Sequence, residues 1–451
     1  MTIQVPVPQL FQRLRGETFT LMSRAAIIVV TRAASTVLTL VYTILITRTT
    51  TTTGTGLVMS AMSFAFIASV VFSMNIESGS IRYLVRYREA GVVAKAEGFI
   101  AFGRWVVIAV TGMAILAASI YVIQNYSGGI SPAALSYLLA LGMCPMLAIT
   151  RLQGRHGTAL DAVLRSTLPR LLVRPLVFTL ILGTAWLLGH RLGPAAIMAM
   201  FAFSVLLVAL IQYVALRPAY KFMHAAKSDL SDWKEWAVTG VLLSPSLVLQ
   251  EYLKNVVIAA AALTLSASTV ALVSVAISIT NFLNFAISAV DSSFGPRIAK
   301  AISNDNRTQL SRLLGYSIAL KLAGVVTGGV LLFLFGKQIL GLFGPEYIKA
   351  LPLLAIFTVL PLTNALFGPS TMLLNISGVA SPVFFWAGGG IAAMVLLTAI
   401  GGLVGGMIYA AIGTAVGYFV MQAGLYVTCR IRAGIDGSIR AAILTAPRGQ
   451  T

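Results

Sequence analysis

At 451 residues the chain has the length of about three soluble domains, yet 58% of it is hydrophobic and only 10% is charged. Soluble domains carry about 25% charged residues, and a mean hydropathy of +0.91 excludes that class. The net charge of +19 is spread thinly between apolar runs, which argues against a nucleic-acid partner and for charges that set membrane topology.

Apolar runs of about 20 residues recur along the whole chain, each long enough to cross a ~30 Å hydrocarbon core as a helix. The ~10-residue alternating segments of a transmembrane barrel are absent. Twelve spans are expected. The first six lie at 25–47, 56–79, 98–123, 132–151, 171–189 and 193–216. The second six lie at 237–264, 268–290, 313–336, 349–375, 380–402 and 405–428. The first run is not followed by a small-residue cleavage site and reads as a retained span rather than a signal peptide. The chain therefore divides into an N-terminal six-helix lobe with its linker (1–234), a C-terminal six-helix lobe (235–428) and a tail (429–451).

Placing both termini in the cytoplasm puts 24 of the 32 Lys and Arg residues in cytoplasmic segments. These include Arg82, Arg86, Arg88 and Lys95 after the second span and Arg151, Arg155, Arg165, Arg170 and Arg174 after the fourth. Only Arg48, Arg191, Lys337 and Lys349 fall on the other side, and that asymmetry sets the orientation.

Four cations remain inside apparent spans: Arg32, Arg104, Lys254 and Lys321. A charge in hydrocarbon is costly and is expected to face the bundle interior. Arg32 lies about 12 Å into the first span, too deep for comfortable snorkelling. Arg24, two turns earlier, would mark the entrance. Arg104 and Lys321 repeat at an offset of 217 and Arg32 and Lys254 at 222. The acids Glu77 and Asp291 are offset by 214, each followed by small residues and an arginine, Arg82 and Arg297. Two related halves with a cationic cavity between them follow, and such repeats hold substrate at their interface.

Glu251 shares the seventh span with Lys254 at i and i+3, an arrangement suited to an ion pair. Pro245 before it suggests a kink. As a carboxylate near a span centre, Glu251 is the leading proton-coupling candidate, with Asp291 the second. Asn281, Asn284 and Asp291 form a polar stripe on the eighth span, which either lines the cavity or glues neighbouring helices. Cys144 and Cys429 suggest neither a disulfide nor a metal site. The histidines His156, His190 and His224 lack metal-ligand spacing, and no nucleotide-binding or hydrolytic motif occurs, so no cofactor and no enzymatic activity are expected. Gly388, Gly389, Gly390, Gly401 and Gly402 allow close helix packing.

The turn Phe343-Gly344-Pro345-Glu346-Tyr347 and the leucine-rich span that follows to Gly378 resemble the Wzx-type polysaccharide flippases of the multidrug/oligosaccharidyl-lipid/polysaccharide (MOP) exporter superfamily. The basic segments 82–95 and 151–155 are similar too. The resemblance implies two six-helix lobes around a V-shaped, alternately opening cavity in the bacterial inner membrane. It implies transport of undecaprenyl-pyrophosphate-linked oligosaccharide for capsule, exopolysaccharide or O-antigen assembly, with a polysaccharide polymerase and a chain-length regulator as partners. Arg32 and Lys254 are the counterparts of the cavity cations that attract the pyrophosphate in that family. Two other readings stand beside it: an ion-coupled exporter of small organic molecules, and a flippase for another lipid-linked anion. Drug antiporters of the superfamily carry acidic cavity residues, which are few here, and peptidoglycan-precursor flippases typically have two further spans.

Overall fold

A computed structural model describes Ile27 and residues 30–125, 130–220, 227–377 and 380–436, and among these no strand occurs. Helices α1 (Val30–Thr49) and α2 (Thr52–Phe72) are followed by a 3-10 turn at Ile76–Gly79 and by α3 (Ser80–Glu89). Then come α4 (Val93–Asn125), α5 (Pro132–Ala159), α6 (Val163–Leu187) and α7 (Pro194–Tyr220). The second half opens with α8 (Trp233–Ala261), α9 (Ala267–Thr280), α10 (Leu283–Ser303) and α11 (Arg307–Phe343). It closes with α12 (Leu351–Phe367), α13 (Ser370–Ile376) and α14 (Ala380–Thr428).

Among the described residues, ten helical segments are long and apolar enough to cross a membrane. The twelve expected spans map onto them with two adjustments. α8 carries Lys234, Glu235, Glu251 and Lys254, which lower its hydropathy, but its 29 residues exceed the length needed. α14 holds two spans, because Gly405 and Gly406 leave helical geometry, with Gly406 at φ +69°. The arms then run antiparallel in close contact: Thr398 and Thr414 hydroxyls are 2.7 Å apart, and a Cβ on Gly413 would lie 2.2 Å from the Leu397 carbonyl oxygen. Small residues let helix backbones approach where lipid offers no hydrophobic force between helices.

The eighth expected span is α9 and α10 joined at a break after Thr280, and it continues past the expected end at 290 to Ser303. The second breaks at Met74 and Asn75, both in the left-handed region at φ 46° and 52°. Asn75 is fully buried there and donates to the Gly240 carbonyl of α8.

Within the first half α2 packs on α5, α5 on α7, and α6 on α7; in the second, α11 packs on α10 and α12, and α14 on α8 and α12. The halves meet where α2 lies against α8 and α9. Near the start of α2 this contact is backbone on backbone, since a Cβ on Gly56 would come 1.7 Å from the Ala267 carbonyl oxygen. At the same end Arg48 of α1 donates to the carbonyls of Leu342 (2.9 Å) and Gly341 (3.0 Å), which have no intrahelical partner at the end of α11. Outward faces are apolar: α4 exposes Trp105, Ile108, Met113, Ile115 and Leu116, and α11 exposes Phe333 and Leu334. Such a surface suits lipid rather than water.

Candidate functional site

A cavity of about 930 Å³ lies between the two halves. One side of it, built mostly by the first half, is cationic. α1 contributes Arg32, α5 contributes Arg151 and Arg155, α6 contributes Arg170 and Arg174, and α8 adds Lys254. Each arginine pair on α5 and α6 is spaced i, i+4, which puts both members on one helix face. A π-helical turn at Pro169–Val173 contains Arg170 and ends at Arg174, a distortion frequent at functional sites.

Carboxylates neutralise some of these charges and leave others. Glu77 pairs with Arg151, both side chains 5% exposed or less. Arg151 also donates to Ser69 Oγ at 3.3 Å and lies 5.5 Å from the centre of the Tyr252 ring. Glu251 accepts from Arg155 Nη2 at 3.1 Å and Arg170 Nη1 at 3.5 Å. Among the described residues, Arg32, Arg174 and Lys254 have no carboxylate within 4.0 Å. The Arg174 guanidinium lies over Phe66, 5.2 Å from its centroid.

The ion pair expected between Glu251 and Lys254 is replaced by the two arginine contacts. Tyr252, between them, has non-helical geometry (φ −128°, ψ 16°), which breaks the i, i+3 register. The kink expected at Pro245 thus falls seven residues later.

The other expected residues divide. Arg32, Lys254, Glu251, Asn281, Asn284 and Asp291 all line the cavity. Lys321 is fully buried behind the wall, its Nζ 2.6 Å from Asp291 Oδ1. Arg104 is exposed on the outer face of α4, its guanidinium 5.6 Å from the centre of the Tyr220 ring, and it does not line the cavity. Arg24 lies outside the described residues. The repeat-related acids consequently take non-equivalent partners: Glu77 pairs with α5, whereas Asp291 pairs with the α11 lysine that matches Arg104 in sequence.

Arg151, Arg155, Arg170 and Arg174, which the sequence places in a basic segment after the fourth span, lie on helices that line the cavity. α5 runs eight residues beyond the apolar stretch that announced it. The i, i+4 arginine spacing was the available signal. On the second half Asn364, Tyr418 and Gln422 also line the cavity, and polar side chains inside apolar spans were their signal.

No protein-family model and no curated protein matches this chain. Solved structures do. A multidrug-resistance MATE transporter of the MOP superfamily in its inward-facing conformation aligns with 93% of this chain and 99% of its own, at TM-score 0.72 and 14% identity. The lipid II flippase MurJ in an inward closed conformation aligns over 94% and 91% at TM-score 0.63 and 11% identity. A MOP-superfamily transporter from Pyrococcus furiosus with a binding pocket of reverse polarity aligns over 91% and 94% at TM-score 0.62 and 16% identity. Over nearly its whole length, then, the chain has the polytopic all-helical fold of MOP-superfamily transporters.

Proposed function

We propose that this protein is a flippase of the Wzx type, moving polyprenyl-pyrophosphate-linked oligosaccharide across the bacterial inner membrane. The observation that carries this reading is the group of three cavity cations, Arg32, Arg174 and Lys254, without carboxylate partners among the described residues. Unbalanced charge in a low-dielectric cavity is costly when empty, and a multivalent anion offsets that cost. A pyrophosphate carries several charges and acceptor oxygens, and arginine's planar fork matches them in pairs. A volume of about 930 Å³ is at the upper end for small-ligand pockets and suits a headgroup bearing sugars. The fold shared with a lipid II flippase supports a lipid-linked substrate. An exporter of organic cations is disfavoured by the sign of the wall.

The proposed topology has both termini in the cytoplasm and lobes at 1–234 and 235–428, with 429–451 as a tail. The closed end, held by Arg48 and the Gly56–Ala267 contact, is then periplasmic. Glu251 is the proposed proton site: its protonation would free Arg155 and Arg170 for the anion, and its deprotonation would recapture them.

The test is surface polysaccharide in cells carrying Arg32→Ala, Arg174→Ala or Lys254→Ala at matched membrane abundance. Each variant should lose most of it. Arg32→Lys should recover only part, keeping charge but losing the fork. Full polysaccharide levels in all three alanine variants would rule the reading out.

A further inference from the structure

Charge is distributed unevenly around the cavity. Among the described residues, every cation lining it comes from α1, α5, α6 or α8. The opposite wall, built by α10, α12, α13 and α14, presents Asn284, Asn364, Thr371, Tyr418 and Gln422, joined by Asn281 at the α9–α10 break. Among the described residues its one lining carboxylate is Asp291, held by buried Lys321, so that lysine is not available to a ligand.

Five of these side chains, all but Thr371, are linked in two short chains that keep spare hydrogen-bonding capacity. Asn364 Nδ2 donates to Tyr418 Oη at 3.3 Å, and Gln422 Nε2 donates to the same oxygen at 2.8 Å. The hydroxyl hydrogen of Tyr418 is left for another acceptor, and each carboxamide keeps its carbonyl oxygen and a second N–H. Asn284 Nδ2 donates to Asn281 Oδ1 at 3.1 Å, leaving Asn284 Oδ1 and the Asn281 amide hydrogens.

We infer that this carboxamide wall is a sugar subsite that seats uncharged residues, hexoses or N-acetylhexosamines, while the opposite wall holds the pyrophosphate. A sugar hydroxyl both donates and accepts, and so does a carboxamide, so the two pair without charge. A uronic acid would bring a carboxylate beside Asp291 and find no free cation on this wall. The inference rests on the flippase reading for the identity of the anion, but it concerns different residues.

Three soluble probes separate the two: farnesyl pyrophosphate, farnesyl pyrophosphate bearing N-acetylglucosamine, and the same carrier bearing glucuronic acid. Binding is measured on purified full-length protein in nanodiscs. Wild type should bind the N-acetylglucosamine carrier tightest, about tenfold above the bare carrier. The glucuronic acid carrier should bind no better than the bare one. Asn364→Leu and Asn284→Leu should each remove most of the sugar increment, about tenfold together, and leave the bare carrier's affinity unchanged, which also reports a folded cavity. Arg174→Ala should weaken all three probes. Equal wild-type affinity for neutral and acidic sugars overturns the inference, as does a full sugar increment in both leucine variants or an equal loss of all three probes in both. Failure of the anion reading looks different: bare carrier indifferent to Arg174→Ala, with the sugar increment intact.

Discussion

Glu77→Gln isolates the most deeply buried charge pair among the described residues. Glu77 and Arg151 side chains are 2% and 5% exposed, so removing the carboxylate charge leaves a largely desolvated guanidinium at the cavity wall without its counter-charge. Breaking such a pair on one side costs about 3–5 kcal/mol. The glutamine keeps an acceptor oxygen, and Ser69 and the Tyr252 ring stay near Arg151, so a loss near the lower end, about 3 kcal/mol, is expected. Asp161→Asn is the matched control. Its pair with Arg88 is exposed (77% and 37%), and exposed pairs contribute only about 0–1 kcal/mol. Cys144 and Cys429 are both fully buried, so a thiol-reactive dye reports unfolding of the detergent-solubilised protein. Replacing both partners, with Glu77→Leu and Arg151→Met, should recover much of the loss, since no charge is then left uncompensated. Equal stability of Glu77→Gln and Asp161→Asn, or a double variant less stable than Glu77→Gln, would refute the reasoning.

The α14 hairpin gives a second prediction: Gly413→Ala drives a methyl into the Leu397 carbonyl and should destabilise by about 1–3 kcal/mol, whereas Gly389→Ala, with open space, should be neutral or slightly stabilising in the same unfolding assay. Asp232 outside the spans is held below the usual carboxylate range, first by the Lys95 ammonium (2.9 and 3.1 Å) and then by the Tyr87 hydroxyl. A depressed carboxyl stabilises the fold above its unfolded pKa of about 4 and loses that contribution as pH falls further, so Asp232→Asn should flatten the stability decline between pH 5 and 3; an unchanged slope contradicts the assignment. Glu251→Gln releases Arg155 and Arg170 and should tighten pyrophosphate binding about fivefold at low salt, less as ionic strength rises, while abolishing the response of transport to a pH gradient in proteoliposomes. Unaltered gradient dependence in that variant would remove Glu251 from the coupling scheme.

The span count was legible because a ~30 Å apolar layer demands about 20 apolar residues per helix, and little else produces that pattern. The α14 hairpin was legible for the same reason, although its backbone stays helical on both sides of Gly405 and Gly406. Arg32 and Lys254 stood out as isolated charges in apolar runs. Arg151, Arg155, Arg170 and Arg174 did not, because α5 continues past its apolar stretch and α6 begins before its own, carrying charge along the cavity rather than into a loop. Arg104 shows the converse. Its offset matches that of Lys321, yet helix phase turns it outward over Tyr220, and offset alone carries no phase. The Glu251 contacts were hidden because the helix breaks at Tyr252, where no proline or glycine stands in the sequence to announce it.

Direct binding tests the central claim, that Arg32, Arg174 and Lys254 form a site for a lipid-borne diphosphate. Purified protein in nanodiscs is titrated with a short-chain polyprenyl pyrophosphate, the matching monophosphate and the uncharged polyprenol. The account predicts that affinity falls in that order, weakens steeply with added salt, and drops at least about tenfold for the pyrophosphate when Arg174 and Lys254 are both replaced by alanine. Polyprenol bound as tightly as the pyrophosphate, or a double variant with wild-type affinity, would contradict it.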